Sequence, residues 1–216
     1  MNTHDLLSFL GGCSAGRNGI DEICRRTGMG RTVVGELVEE LSASGLVSAG
    51  EGHFVMGQGG KVGLARLLVN GGASLSEVCR RLDWRDFEEL ARFALEECGY
   101  LCRSNVRLRR PTRQIDVVGW QGDFAVAFDC KHWNCASPSR LREAALKQRS
   151  RCVQMMEQHA QPGREVLPAL LLLHPAPSES AEGIPLVHSD GVFDFLRQIR
   201  GQKHRFAAVS NGPQFL

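Results

Sequence analysis

The sequence predicts a mixed α/β (α+β) chain: an αβββαβ core with a terminal helix, preceded by a small helical domain. Three observations lead there. Three strand-like segments, Tyr100–Leu108, Gln114–Gly119 and Phe124–Lys131, follow one another between amphipathic helical stretches at 83–98 and 140–159. A continuous apolar run, Leu167–His174, has the pattern of a strand buried on both faces. The first sixty residues are mainly helical in periodicity. At 216 residues, 43% hydrophobic and 23% charged, the chain has room for both units and for a real core.

Residues 4–10 and 20–27 have helically spaced apolar positions, and a Thr27-Gly28-Met29-Gly30 break precedes a longer run over 31–44. Val33, Val34, Leu37, Val38 and Leu41 line one side of that helix, and Gly45 ends it. Two short strands then flank Ala49-Gly50-Glu51-Gly52. This arrangement over residues 1–70 resembles a winged helix-turn-helix domain. In that resemblance Arg31 and Thr32 would meet a DNA groove, whereas Glu36, Glu39 and Glu40 would repel phosphate. On charge, a packing or dimerisation role stands level with DNA reading, which leaves a homodimer open. Residues 71–82 read as a linker with a short helix capped by Ser74, after a boundary at Asn70-Gly71-Gly72.

The core spans 83–200. Its opening helix has Trp84, Phe87, Leu90, Ala91 and Ala94 on the apolar face, with Glu88 beside it. Next come Gln114–Gly119 and Phe124–Lys131, expected to form a hairpin through a tight turn at Gln121-Gly122. Side-chain alternation puts Asp129 and Lys131 on the face of Ala125 and Ala127, and Cys130 on the face of Phe124, Val126 and Phe128. If Gly119 pairs with Phe124, Asp116 lies opposite Ala127 and Asp129 is its diagonal neighbour, roughly 7–8 Å away. Two carboxylates that close raise each other's pKa and need a cation to stay ionised. Oxygen ligands of this kind suit Mg2+ or Mn2+.

Gln114-Ile115-Asp116 followed by Asp129-Cys130-Lys131-His132-Trp133 resembles the PD-(D/E)XK nucleases, in the form seen in Mrr-like restriction endonucleases. The resemblance covers roughly residues 80–200. It implies a restriction-endonuclease-like fold and a magnesium-dependent endonuclease acting on DNA, of restriction or defence type. Glu88, Asp116 and Asp129 would hold the metal, with the Cys130 carbonyl as a further ligand and Glu89 as the alternative to Glu88. Lys131 would handle the attacking water, and Gln148 on the long helix would help to position it, with Gln154 as runner-up. Ile115 replaces the proline that precedes the first aspartate in the family, and Asp129 stands where glutamate is commoner. Rival readings are a non-catalytic DNA-binding or regulatory scaffold and a structure-selective repair or junction nuclease.

The net charge of +2 divides unevenly. Residues 1–60 hold four arginines against seven carboxylates, leaving −3, while the rest holds 22 basic against 17 acidic residues, leaving +5. DNA is therefore expected on the second part. Arg103, Arg107, Arg109, Arg110 and Arg113 form the densest basic stretch and are candidates for phosphate contact. Lys147, Arg149 and Arg151 add a basic side to the long helix, whose apolar face is read as Leu141, Ala145, Cys152, Val153 and Met156. A strand at Ile184–His188 and a helix at Val192–Ile199 lead to a C-terminal tail, 201–216, whose Lys203-His204-Arg205 has no assigned role. No apolar stretch is long enough to cross a bilayer, so no membrane partner is expected. Eight scattered cysteines without a CxxC pair fit reduced thiols and a cytoplasmic protein.

Overall fold

The computed structural model describes residues 2–57, 59–133, 135–159 and 164–210. The chain divides into two compact units, Met1–Asp86 and Phe87–Leu216.

The first unit runs α1 (Thr3–Gly12), β1 (Gly16–Gly19), α2 (Ile20–Thr27), α3 (Arg31–Ala43), β2 (Val47–Gly50), β3 (His53–Met56), α4 (Gly60–Asn70) and α5 (Leu75–Cys79). Asn2 caps α1 by accepting the His4 amide at 3.0 Å, and Ser74 caps α5 by accepting the Glu77 amide at 3.3 Å. The expected stripe on α3 is buried at Val34, Leu37, Val38 and Leu41, while Val33, at its edge, is exposed. The stacked rings of Phe9 and Phe54, centroids 5.2 Å apart, join α1 to β3. The three strands form an antiparallel sheet in the order β1-β3-β2.

Strand β1 was invisible in the sequence, because Gly-Arg-Asn-Gly carries no apolar alternation. Asn18 holds it in place. Its Oδ1 accepts the Ser14 amide at 2.8 Å, and its Nδ2 donates to the carbonyls of Ser14 and Gly16 at 2.8 and 2.9 Å. A buried amide satisfied this fully specifies its loop and carries little desolvation cost.

The second unit is a mixed α+β structure: α6 (Trp84–Glu97), β4 (Leu101–Leu108), β5 (Arg113–Gln121), β6 (Phe124–Lys131), α7 (Pro138–Gln158), β7 (Glu165–Leu172), β8 (Ser180–Ala181), β9 (Ile184–His188), α8 (Val192–Gln202) and β10 (Val209–Ser210). Its sheet has the order β4-β5-β6-β7-β9-β8, with β10 paired to the start of β7. Strands β4, β5 and β6 are antiparallel neighbours, whereas β6, β7 and β9 are parallel. Parallel β6 and β7 require a crossover, and α7 supplies it.

Helix α7 begins at Pro138, after Ser137 accepts the Arg140 amide at 3.3 Å. It covers one sheet face, packing Cys152, Met155 and Met156 on Ile115, Val118, Ala125 and Ala127, and Leu141 and Ala145 on Leu170 and Leu186. Val153, expected on this face, is exposed. One residue beyond Cys152, it is turned some 100° away from the buried stripe.

Helices α6 and α8 meet the other face. Phe128 faces Phe195 at 6.3 Å, Phe93 faces Phe193 at 6.2 Å, and the Tyr100 hydroxyl donates to the Leu196 carbonyl at 3.3 Å. A Cβ at Gly119 would lie 2.8 Å from Leu95, so glycine is what lets α6 approach β5. The buried face of α6 includes Phe87, Leu90, Ala91 and Ala94 as expected. Trp84 is not part of it: the first residue of the helix, it is 53% exposed and covered by the Arg85 guanidinium at 4.7 Å. In the basic tail, Lys203 pairs with Glu165 and Arg205 pairs with Glu179, which ties the segment before β10 to the body of the unit. Residues 211–216 of that tail lie outside the described residues.

Candidate active site

The β5–β6 hairpin turns at Gly122-Asp123, with Gly122 at φ 64. Gln121 pairs with Phe124, Gly119 with Val126 and Val117 with Phe128. The expected pairing of Gly119 with Phe124 is therefore off by two residues, because the turn takes up two residues fewer between the strands. A slip of two preserves which face each side chain uses. The paired ladder ends at Val117 and Phe128, and Asp116 and Asp129 are the next residues along the two strands. The Cys130 amide donates to Asp116 Oδ2 at 2.8 Å and holds the two strand ends together at that point.

On the outer side of β5, Asn105 in β4 occupies the gap between the pairs Ser104–Val117 and Val106–Ile115, with φ 55. Ile115 packs in the same cluster as Val118, although strict alternation would send it to the opposite face. The sheet is thus locally irregular at Asn105 and Asp116. Irregularities of this sort re-aim side chains beside functional sites.

Asp129 is 2% exposed. Lys131 Nζ donates to its Oδ1 at 2.8 Å and lies 2.7 Å from Oδ2, and Arg151 Nη1 approaches Oδ1 at 3.1 Å. The Lys131 approach to Oδ2 is close but poorly aligned, so this buried oxygen accepts no directed hydrogen bond from the described residues. Burial, then the neighbouring Asp129 charge, pushes the Asp116 carboxyl up to about 6. Glu88 on α6 belongs to the same field: burial, then Asp116 and Asp129, pushes it up to about 7. Glu89 is spent elsewhere, paired with Arg92 at 2.8 Å. Three carboxylates therefore share an environment with two cations, Lys131 and Arg151. Among the described residues no three His, Cys, Asp or Glu side chains are grouped so that together they could hold a metal ion.

Gln148 is fully buried and reaches the centre through the backbone. Its Nε2 donates to the Ala127 carbonyl at 2.8 Å, and its Oε1 accepts from Arg151 at 3.4 Å. It braces the arginine that faces Asp129 and makes no bond to Lys131. Gln154 Nε2 donates instead to the carbonyls of Arg109 and Pro111, at 3.0 and 2.8 Å. The inward role of Arg151 went unread in the sequence, where it counted as one of the outer basic residues. The signal available was its i+3 spacing from Gln148.

The remaining basic candidates lie outside this centre. Arg103, Arg107, Arg109, Arg110 and Arg149 are exposed, and none has a carboxylate partner among the described residues. Arg113 donates to Ser150 Oγ at 2.6 Å. Lys147 pairs with Glu143 at 2.5 Å, an exposed couple screened by solvent and so easily given up to a phosphate. Beside the centre, Lys131 lies 5.4 Å from the Trp133 ring, which also carries the Arg140 guanidinium at 3.9 Å.

The raised carboxylates have a pH signature. In the unfolded chain they titrate near 3.8 and 4.5, and in the folded protein near 6 and 7. The folded state thus binds more protons across that window, and metal-free stability should fall as pH rises from about 4 to 7. In EDTA, Glu88→Gln should melt progressively higher than the wild type as pH goes from about 5 to 8. Parallel melting curves over that range would mean that Glu88 does not feel the two aspartates.

No protein-family model and no curated protein matches the chain. Among solved structures it is similar to AF1548, a protein of unknown function, at 20% identity and a TM-score of 0.38, covering 55% of this chain and 66% of that one. It is also similar to VC1899 from Vibrio cholerae, at 11% identity and a TM-score of 0.44, over 93% of this chain and 50% of that one. The chain therefore spans half the length of VC1899. No described helix is long and apolar enough to cross a membrane. None of the eight cysteines is in a disulfide.

Proposed function

We propose that the protein is a metal-dependent endonuclease that hydrolyses phosphodiester bonds in DNA, a PD-(D/E)XK enzyme of the Mrr-like type. One observation carries this reading: Asp116 and Asp129 are brought together where the β5–β6 ladder ends, with Lys131 clamped on Asp129. Burying mutually repelling carboxylates costs stability and has no packing rationale. The order of elements from α6 to α8 also supports it.

The residues suit a hard divalent cation. A buried Asp129 oxygen lacks a directed donor, and the Asp116 and Glu88 carboxyls are held in a strained electrostatic state that a dication would relieve. Magnesium or manganese takes one or two carboxylates and keeps several waters, so an open donor set is in keeping with it. Asp116 and Asp129 would hold the ion, with Glu88 and the Cys130 carbonyl as further oxygen donors. Bound there, it would polarise the phosphate and neutralise its charge. Lys131, as an ammonium, would orient a water and stabilise the hydroxide formed as its proton leaves to solvent, while Arg151, braced by Gln148, fixes Asp129 in place. Arg107, Arg109, Arg110, Arg113 and Arg149 would contact flanking phosphates.

We read the first unit as a winged helix, on its α-β-α-α-β-β order and the β2–β3 hairpin. Its third helix is poorly suited to DNA, since Arg31 is paired with Asp21 and Glu36, Glu39 and Glu40 are exposed. Cysteines outside any disulfide support a cytoplasmic location.

The test is direct. With magnesium or manganese the purified protein should nick or cut plasmid DNA, methylated or unmethylated, and EDTA should stop it. Plasmids left intact under all these conditions would overturn the assignment.

A further inference from the structure

A cleft of about 550 Å³, with mixed polar and apolar walls, opens on the α7 side of the sheet near the far end of β5. Trp120, Met155 and Met156 make its apolar wall, and Arg103 and Arg164 line it as well. It is not part of the carboxylate centre. Trp120 pairs with Leu101 and Ala125, four residues along β5 from Asp116, or about 13 Å at 3.3–3.4 Å per residue. None of Asp116, Asp129 and Lys131 lines it.

The charges around it are unbalanced. Neither Arg103 nor Arg164 has a hydrogen bond or a carboxylate partner among the described residues. The cleft's carboxylate, Glu165, is already occupied by Lys203. The cleft thus pairs an indole and two thioethers, which favour a flat aromatic ring, with two unspent guanidinium groups, which favour phosphate. Its volume is that of an ordinary small-ligand site.

We propose that this cleft binds a nucleoside phosphate, with the base against Trp120 and the phosphate between Arg103 and Arg164. The ring and the anion are read by different side chains of the same cleft, so neither alone satisfies it. The site is independent of metal and of the nuclease reading, and it is tested without either.

In EDTA, titration with ADP should quench tryptophan emission saturably, with the same affinity by calorimetry. Trp120→Phe should remove the quench. Arg103→Ala, at an exposed position, and Arg164→Ala, at a half-buried one, should each weaken ADP at least tenfold while leaving the melting curve in place. Adenosine and inorganic phosphate, offered separately, should each bind at least tenfold more weakly than ADP. A short single-stranded oligonucleotide will compete with ADP if the nucleotide enters as part of a strand, and will not if it enters free. Absence of saturable binding, ADP affinity indifferent to both arginine substitutions, or phosphate binding as tightly as ADP would each overturn the proposal.

Discussion

Asp116→Asn should abolish DNA cleavage and at the same time raise the melting temperature of the metal-free protein. Both effects follow from one charge. Asp116 is pushed up to about 6 by burial and by the neighbouring Asp129 charge, so at neutral pH its ionisation opposes folding. The amide keeps the shape and can still accept the Cys130 amide, which the wild-type Oδ2 does at 2.8 Å. It also relieves Glu88 of its strongest repelling neighbour. What is lost is one of the two aspartate carboxylates proposed to hold the dication. The order of stabilities should therefore invert on adding manganese: the wild type gains melting temperature by linkage, the variant does not. A variant that is less stable than wild type in EDTA, or that still gains stability from manganese, would remove Asp116 from the proposed site.

Lys131→Ala should lower cleavage by a factor on the order of 10² or more, the scale for a positioned acid–base group. Its effect on stability is expected to be small by comparison. Stranding one member of a buried ion pair costs about 3–5 kcal/mol. Asp129 is not stranded, because Arg151 remains 3.1 Å from its Oδ1. The loss should then lie nearer the roughly 1 kcal/mol typical of single substitutions. A single-turnover assay beside a denaturant melt separates the two quantities. Cleavage at the wild-type rate would make Lys131 a structural partner of Asp129 and nothing more. A large loss of stability with proportionate loss of cleavage would have the same meaning.

Much of the second unit could be read from the chain because its signals are periodic. The strands around Val118 and Val126 and the helix bearing Leu141, Ala145 and Cys152 were found from the spacing of apolar residues alone. The relation of Asp116 to Asp129 was half legible. Parity along a strand put the charges on the right face, but their distance depended on which two residues form the turn, and both Gln121-Gly122 and Gly122-Asp123 are acceptable turn sequences. Features set by a single tertiary partner were not legible. Strand β1 exists because Asn18 ties its own loop, Asn105 adopts φ 55 in the middle of β4, and Arg151 turns inward because a buried carboxylate awaits it. Trp84 and Val153 fell on the margins of apolar stripes, where one step around the helix decides between core and solvent.

Helix α7 does more than cross from one strand to the next. Gln148 grips the backbone of β6 at Ala127, while Gln154 and Gln158, two and three turns further on, grip the arginine-rich turn at Arg109 and Pro111. The helix is in effect a spacer bar of fixed length, bolted at one end beside the carboxylates and at the other to the basic turn. A polyanion engaging both ends would meet a rigid template. The adjustment needed to bring a scissile bond over Asp116 and Asp129 would then fall on the nucleic acid, and its stiffness would become a determinant of which sites are cut.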